Sequence, residues 1–133
     1  MKIKIKRSQI EKEPYIIWNK FGEFSLNILE KNYILNQIQK NAVLCYWYQT
    51  EMNSAGHSGY FDVFKDVNKD DLITSMKAIG SKKCAENFLE AIEKGLEDDY
   101  IKTDMFFYEK NLEFGHLLEE YVKNNISEFF DII

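Results

Sequence analysis

The chain has 133 residues, of which 45% are hydrophobic and 29% charged, and its formal net charge is −5. This length suits one domain with a single hydrophobic core, and the composition is that of an ordinary globular protein. One proline and six glycines are too few turn residues for a β-sandwich or barrel, so we predict an all-α fold.

Cysteine usage and hydropathy indicate the compartment. Cys45 and Cys84 lack metal-ligand spacing, which predicts two reduced thiols rather than a disulfide framework. The N-terminal lysines are not followed by the apolar segment of a secretory signal. No run approaches the roughly 18 apolar residues of a membrane span. We therefore expect a cytoplasmic protein that does not enter a membrane.

The N-terminal region begins with an alternation of lysine and isoleucine. This period of two predicts a half-exposed strand in residues 1–7, and because no partner strand is evident, an extended or frayed arm. Ser8 and Glu11 have the spacing of a capping box and predict the start of a helix. Pro14 favours the alternative that this helix begins near residue 14, because proline suits a first helical turn.

The central feature is an apolar helix over residues 36–53, which Asn32 or Asn36 opens. Its hydrophobic residues cover most of its circumference, as in a helix that is surrounded by others. Before it, Gly22 is predicted to weaken the end of one helix, and Ser25–Lys31 forms a separate helical piece. We thus expect a single-domain bundle of about six to eight helices, built around this central helix.

Beyond residue 56 the chain continues as amphipathic helices with glycine or capping residues at their boundaries. The predicted helices are Ser58–Lys65, a helix capped by Asp70 and ended by Gly80, a helix from Ser81 to Gly95, Glu109–Asn124, and a terminal helix over Ile126–Ile133.

Neither a metal nor a cofactor is predicted. Asp66, Asn68 and Asp70 match the first ligands of a calcium-binding helix-loop-helix. However, Asp71 replaces its turn glycine, and Lys77 occupies the position of its bidentate glutamate. The histidines and cysteines show none of the paired spacings of zinc sites.

Charge is distributed unevenly along the chain. Residues 1–85 contain 13 Lys or Arg and 9 Asp or Glu, whereas residues 86–133 contain 4 Lys and 13 acids. Six acids form a candidate binding face on one helical stripe and the loop after it: Glu86, Glu90, Glu93, Glu97, Asp98 and Asp99. Such a row is either a solvated surface or an imitation of DNA phosphates that attracts a basic protein. Direct binding of nucleic acid is not expected, because phosphate contacts need Lys and Arg.

Glu51 and His57 could form a carboxylate–imidazole pair, as in a hydrolase-like enzyme. We favour a structural interpretation, in which Glu51 and Asn53 accept hydrogen bonds from the amides that begin the following helix. Gly56 would then adopt a left-handed conformation that ends the preceding helix. On this interpretation no residue is catalytic.

The same region resembles the signature of a known family, the bacterial DNA-mimic protein-type domains, which is named for an acidic member that binds a transcriptional regulator in place of DNA. The matching residues are Tyr46, Trp47, Glu51, Asn53, Gly56, His57, Tyr60 and Phe61. Ala55 and Gly59 depart from the commoner Gly and Gln. Ala78–Gly80, followed by Lys83 and Ala85, resembles the family's helix junction, so the likeness covers residues 40–95.

The resemblance implies an all-α homodimer and supplies no catalytic residues. Together with the charge distribution, it predicts a non-enzymatic acidic domain that binds a basic protein, and in its specific form a DNA mimic that engages a basic regulator. The alternative is an immunity or antitoxin-type protein, which would share the small size and acidity. A hydrolase-like enzyme that uses Glu51 and His57 is the third hypothesis.

Overall fold

The computed structural model describes residues 2–31 and 33–133, so the predictions for Met1 and Asn32 lie outside the described residues. This part of the chain forms six α-helices and two short strands. The helices are α1 (Arg7–Lys12), α2 (Ile16–Lys31), α3 (Gln37–Val63), α4 (Lys69–Ala78), α5 (Lys82–Lys94) and α6 (Ile101–Asn124). The strands are β1 (Ile3–Ile5) and β2 (Phe130–Ile132). The predicted all-α bundle is confirmed.

Helix α3 lies at the centre and packs against α2, α4 and α6. A reciprocal cap fixes its start, because Asn36 accepts a hydrogen bond from the Gln39 backbone N–H at 2.8 Å while the Gln39 side chain accepts one from Asn36 N–H at 3.0 Å. Ala42, Val43 and Cys45 are fully buried although they point in different directions around the helix axis. The predicted central apolar helix and its Asn36 cap are confirmed.

Gly56 divides α3 into two helical segments that meet at a kink, so the first segment ends there as predicted. The φ of +70° and ψ of −168° at Gly56 lie in a region that is open essentially to glycine alone. The chain changes direction there and resumes helical geometry, so the predicted helix Ser58–Lys65 is the second half of α3. A Cβ atom on Gly56 would lie 2.5 Å from Oδ2 of Asp104, so α6 also approaches too closely for any side chain.

The two ends of the chain pair with each other. Strand β1 lies parallel to β2, with Ile3 opposite Phe130 and Ile5 opposite Ile132. The N-terminal segment is therefore extended, as predicted, and it has a partner strand. The predicted helix over Ile126–Ile133 is wrong, because a short 3₁₀ turn leads into β2 instead. Burial of adjacent Phe129 and Phe130 and the backbone bonds to β1 favour the extended form.

Helix α1 begins earlier than its sequence suggests. Gln9 accepts a hydrogen bond from the Lys6 N–H at 3.1 Å, so Ser8 lies inside the helix and the predicted Ser8 cap is wrong. Pro14 lies between α1 and α2, outside both helices.

Helix α2 is continuous where a break was predicted. The Ser25 hydroxyl donates to the Phe21 carbonyl at 3.0 Å, which satisfies the side chain within the helix. Gly22 provides space for Tyr46, whose hydroxyl oxygen lies 2.8 Å from where a Cβ would stand. The glycine therefore marks a close helix contact and not a helix end.

Two boundaries in the second half of the chain also differ from the predictions. Asn68, rather than Asp70, caps α4 by accepting from the Asp71 N–H at 3.1 Å. Gly80 has a φ of +99° and ends α4 as predicted. Ser81 occupies the cap position of α5, although its side chain makes no capping hydrogen bond there.

Helix α5 ends at Lys94 as predicted, with Gly95 as its C-cap, but the glycine does not reverse the chain. Its φ of −56° is helical, and the chain continues as a 3₁₀ helix over Gly95–Asp98. The reversal occurs at Asp99 and Tyr100, which both have positive φ, at 56° and 64°. Gly95 is needed because a Cβ would collide with the Tyr100 ring. Helix α6 then begins at Ile101, eight residues before the predicted start at Glu109.

We expect Gly56→Val to lower the free energy of unfolding by about 1–3 kcal/mol, because a β-branched residue is strained at this backbone conformation. Urea denaturation would measure the change, with Ser54→Ala as the exposed control two residues away. Equal midpoints for Gly56→Val and the wild type would contradict the prediction.

Candidate functional site

The side chains around the α3 break are organised by Asp104, in the first turn of α6. Its Oδ1 accepts hydrogen bonds from the backbone N–H of His57 at 3.0 Å and from the ring Nδ1 at 2.6 Å. Because Nδ1 carries the proton in this arrangement, Nε2 is the acceptor for the Tyr48 hydroxyl at 2.7 Å. Tyr48, His57 and Asp104 thus form a hydrogen-bonded chain across α3 and α6.

Aromatic rings enclose this chain. Tyr48 and His57 are both 0% exposed. The rings of Tyr60, Phe88 and Phe107 meet Tyr48 edge-on, with centroids 5.2–5.5 Å away. Phe61 lies parallel to the His57 ring at 6.1 Å. Only Asp104 reaches solvent, with 23% of its side chain exposed.

Burial sets the protonation of the two enclosed rings. It raises the pKa of Tyr48 well above its ordinary value of 10.0. It also lowers the pKa of His57 from 6.5, and this effect outweighs the opposite influence of the hydrogen-bonded Asp104 carboxylate. Tyr48 and His57 are therefore neutral near pH 7, and the chain of bonds holds the α3 break in place.

Further along α6, two more polar residues contact α3. The Tyr108 hydroxyl donates to the Met52 carbonyl at 3.1 Å. Asn111 donates to Asn53 at 2.8 Å and accepts from the Gln49 amide at 3.0 Å. Asp104, Tyr108 and Asn111 are spaced by four and three residues, so they form one polar row on α6.

The predicted partners of Glu51 and Asn53 are wrong in detail. Glu51 was expected to accept the N–H groups near Gly59 and Tyr60, whereas the carboxylate that accepts a backbone N–H at the break is that of Asp104, from His57. Asn53 bonds to Asn111 instead of the turn. Glu51 lies beside Gly59, with Oε1 3.0 Å from where a Cβ of that glycine would stand. The catalytic pair of Glu51 and His57 is not formed, since both His57 ring nitrogens bond to other residues.

The remaining signature residues pack in the interior. Tyr46 meets Phe21 edge-on, and Trp47 donates from its indole N–H to the Ser25 carbonyl at 3.1 Å. Tyr60 is buried, and burial raises the pKa of its hydroxyl. Phe61 receives the Lys69 ammonium over its ring at 5.5 Å. The predicted set is therefore brought together around α3, as packing residues.

The six acids of the candidate face lie on a different surface, on α5 and the segment that follows it. All six are exposed except Glu90, which is half-buried. Asp98 has a structural role, because its Oδ2 accepts from the Lys102 N–H at the start of α6 at 3.0 Å. Asp99 takes part in the left-handed reversal before α6.

Lysines lie close to part of this acidic face. Lys94 and Lys102 line one depression together with Glu90, Glu97 and Asp98. Within residues 2–31 and 33–133, none of the six acids has a basic nitrogen within 4.0 Å. The carboxylates other than that of Asp98 are therefore available to a binding partner, although the surface is not uniformly negative.

Metal binding and membrane insertion find no support in the described part of the chain. It contains no group of three or more His, Cys, Asp or Glu side chains that could hold a metal ion. Cys45 and Cys84 are buried free thiols. None of the helices in residues 2–31 and 33–133 combines the length and hydrophobicity needed to span a membrane.

These features define a small all-α domain with an enclosed aromatic core at a helix break and an acidic outer face. A family model described as DMP19-like protein matches residues 34–129, more than half of the chain, and the chain therefore belongs to the DMP19-like protein family. The resemblance to DNA-mimic-type domains is confirmed over a longer stretch than residues 40–95. Neither the curated proteins nor the solved structures gave a match.

Sequence reasoning missed Tyr48 and Asp104. Tyr48 occurs in an aromatic run and was indistinguishable from a simple core residue. Asp104 fell in a segment without an assigned helix, because α6 was predicted to begin at Glu109. The sequence feature that could have indicated Asp104 is an acid at a position where a helix can start. A glycine break in another helix leaves backbone N–H groups unpaired, and such an acid can accept their hydrogen bonds.

We expect stability to fall on acidification below pH 6.5. The folded-state pKa of His57 is lowered, so the unfolded chain binds the proton first, and stability is lost as pH falls from 6.5 through the folded pKa. The slope cannot exceed about 1.4 kcal/mol per pH unit for one group. Urea unfolding at several pH values would measure it, and His116→Gln, at an exposed position, should keep the slope. A flat profile would contradict the lowered pKa.

We expect Asp104→Ala to reduce the free energy of unfolding by about 1–3 kcal/mol, because two His57 donors lose their acceptor in a mostly buried place. Asp62→Ala, at an exposed position on α3, is the control. Chemical denaturation would compare the two variants. Equal losses would show that the Asp104 bonds contribute nothing specific.

Proposed function

We propose that this protein is a non-enzymatic binding domain that presents its acidic face to a basic, DNA-binding protein, in the place that DNA would occupy. Membership of the DMP19-like protein family supports a DNA-mimic role. The observation that carries the proposal is the exposed row on α5 and its extension, Glu86, Glu90, Glu93 and Glu97, which has no ion-pair partner within the described residues.

The spacing of this row can be compared with DNA. Glu86 and Glu93 are seven residues apart on α5, which corresponds to roughly 10 Å of helix and about 5 Å between successive acids of the row. One DNA strand carries a phosphate about every 3.4 Å along the helix axis. The acidic row therefore has a lower charge density than DNA but the same sign, which is sufficient to steer a positively charged surface towards it.

The energetics of the row also favour an external role. Glutamates at spacings of three and four repel each other by some tenths of a kcal/mol per pair, so the row does not stabilise α5. A basic partner would relieve this repulsion. Asp98 is less available for such a role, because its carboxylate caps α6.

The proposal predicts that charge reversal of the row abolishes binding. The triple variant Glu90→Lys, Glu93→Lys, Glu97→Lys should lose at least 10-fold in affinity for a DNA-binding protein captured from the native cell extract. The matched control reverses three exposed acids on α1, α2 and the segment between them, Glu11, Glu13 and Glu30, and has the same net charge.

Titrations of the purified partner at low and high salt would measure both variants, with duplex DNA as a competitor. We expect binding that weakens steeply with salt and that DNA displaces. Equal losses of affinity in the two triple variants would show that overall charge, and not the α5 row, determines binding. Unchanged affinity in the α5 variant would refute the proposed face.

A further inference from the structure

The outward side of α6 carries an exposed apolar stripe, whose member Tyr108 lies at its edge and also donates its hydroxyl to the Met52 carbonyl of α3. Ile101, Met105, Tyr108 and Leu112 are 49–76% exposed. Their spacings of four, three and four are those of the seam positions in a coiled coil. Single exposed apolar residues are common on protein surfaces, whereas four successive seam positions give a continuous patch roughly 16 Å long.

A depression of about 400 Å³ adjoins the start of the stripe, between α5 and α6. Ile101, Met105 and Phe106 supply its apolar lining. Its charged residues are the acids Glu90, Asp98 and Glu109 and the single base Lys102. The depression therefore combines an apolar lining with an excess of negative charge.

We propose that this stripe and depression form a docking face for a basic amphipathic helix of the partner protein. This inference rests on the proposed function and adds the shape and chemistry of the partner segment. The seam spacing selects a helix, because apolar residues at matching intervals can interdigitate along α6. The carboxylates of Glu90 and Glu109 select basic residues beside the apolar face of that helix, since opposite charges are complementary. The third acid, Asp98, is engaged with the Lys102 N–H.

A second copy of this chain fits the same surface less well. It would bring its own Glu109 and Glu113 to the rim of the stripe, where each chain already carries these exposed acids and offers them the single base Lys102 of the depression. Like charges at an interface oppose association. A long arginine or lysine side chain satisfies both features of the depression, because its stem packs on apolar residues while its head meets the carboxylates.

The test uses a synthetic 18-residue peptide with leucines at seam spacing and arginines on both flanks of the leucine stripe. The control is a scrambled peptide of identical composition that has no amphipathic stripe. Fluorescence anisotropy at physiological salt should show the amphipathic peptide binding at least 10-fold more tightly than the scrambled one.

Variants of the protein locate the binding site of this peptide. Ile101→Gln with Met105→Gln should weaken binding at least 10-fold, and Leu112→Gln should act in the same direction. The matched control is Leu26→Gln with Leu29→Gln, two apolar residues of α2 with 53% and 49% exposure, which should change affinity less than 2-fold. Circular dichroism confirms that each variant is folded.

Equal binding of the two peptides, no binding of either, or an unaffected Ile101/Met105 double variant would overturn the docking face. The charge-reversal test on α5 is independent of these results, so a refuted docking face would not refute the acidic face. Sedimentation of the wild type and the double variant tests whether a second copy of this chain occupies the stripe. A dimer that becomes a monomer in the double variant and excludes the peptide would assign the stripe to a second copy.

Discussion

Two polar groups on α3, the N–H and the ring of His57, can be satisfied only if α6 sits in one place. The break at Gly56 exposes the His57 N–H, and Asp104 accepts from both the N–H and Nδ1. A donor left unpaired in the interior would cost about 1–3 kcal/mol, so alternative positions of α6 are disfavoured. The absence of a side chain at residue 56 is part of the same constraint, because a Cβ there would strike the Asp104 carboxylate.

This constraint also sets the rotation of α6 about its own axis. Asp104, Tyr108 and Asn111 turn one side of the helix towards α3, and Phe107 and Phe114 fill the core beside them. Once that side is fixed, helical geometry leaves Ile101, Met105 and Leu112 outside. The exposure of the stripe therefore follows from the orientation that the polar row and the buried Phe107 and Phe114 give to α6.

The sequence alone was enough to predict the central helix, but it did not predict which residues contact that helix. Hydrophobic periodicity and the Asn36 cap located α3, because both signals are local. The α6 start was misplaced by eight residues, since it depends on a left-handed reversal at Asp99 and Tyr100, a conformation that Asp tolerates but Tyr does not favour. Tyr100 compensates for that reversal through contacts with Phe61 and Gly95, which are distant in sequence or specific to the packed structure. The pairing of β1 with β2 was hidden for the same reason, because its partners lie at opposite ends of the chain.

The acidic residues and the apolar stripe belong to one pair of helices, and this arrangement has a physical consequence for recognition. Charge alone attracts many basic proteins and discriminates poorly among them, since exposed ion pairs contribute little and are screened by salt. Apolar contacts discriminate among partners by shape, although they do not increase the rate of association. Glu90 and Glu109 adjoin Ile101 and Met105 in the same depression, so under the proposed function a basic partner would meet negative charge and apolar shape in one place. The hydrogen bonds between Asp104 and His57 fix the position of α6, and they thereby keep the apolar stripe next to the acidic residues.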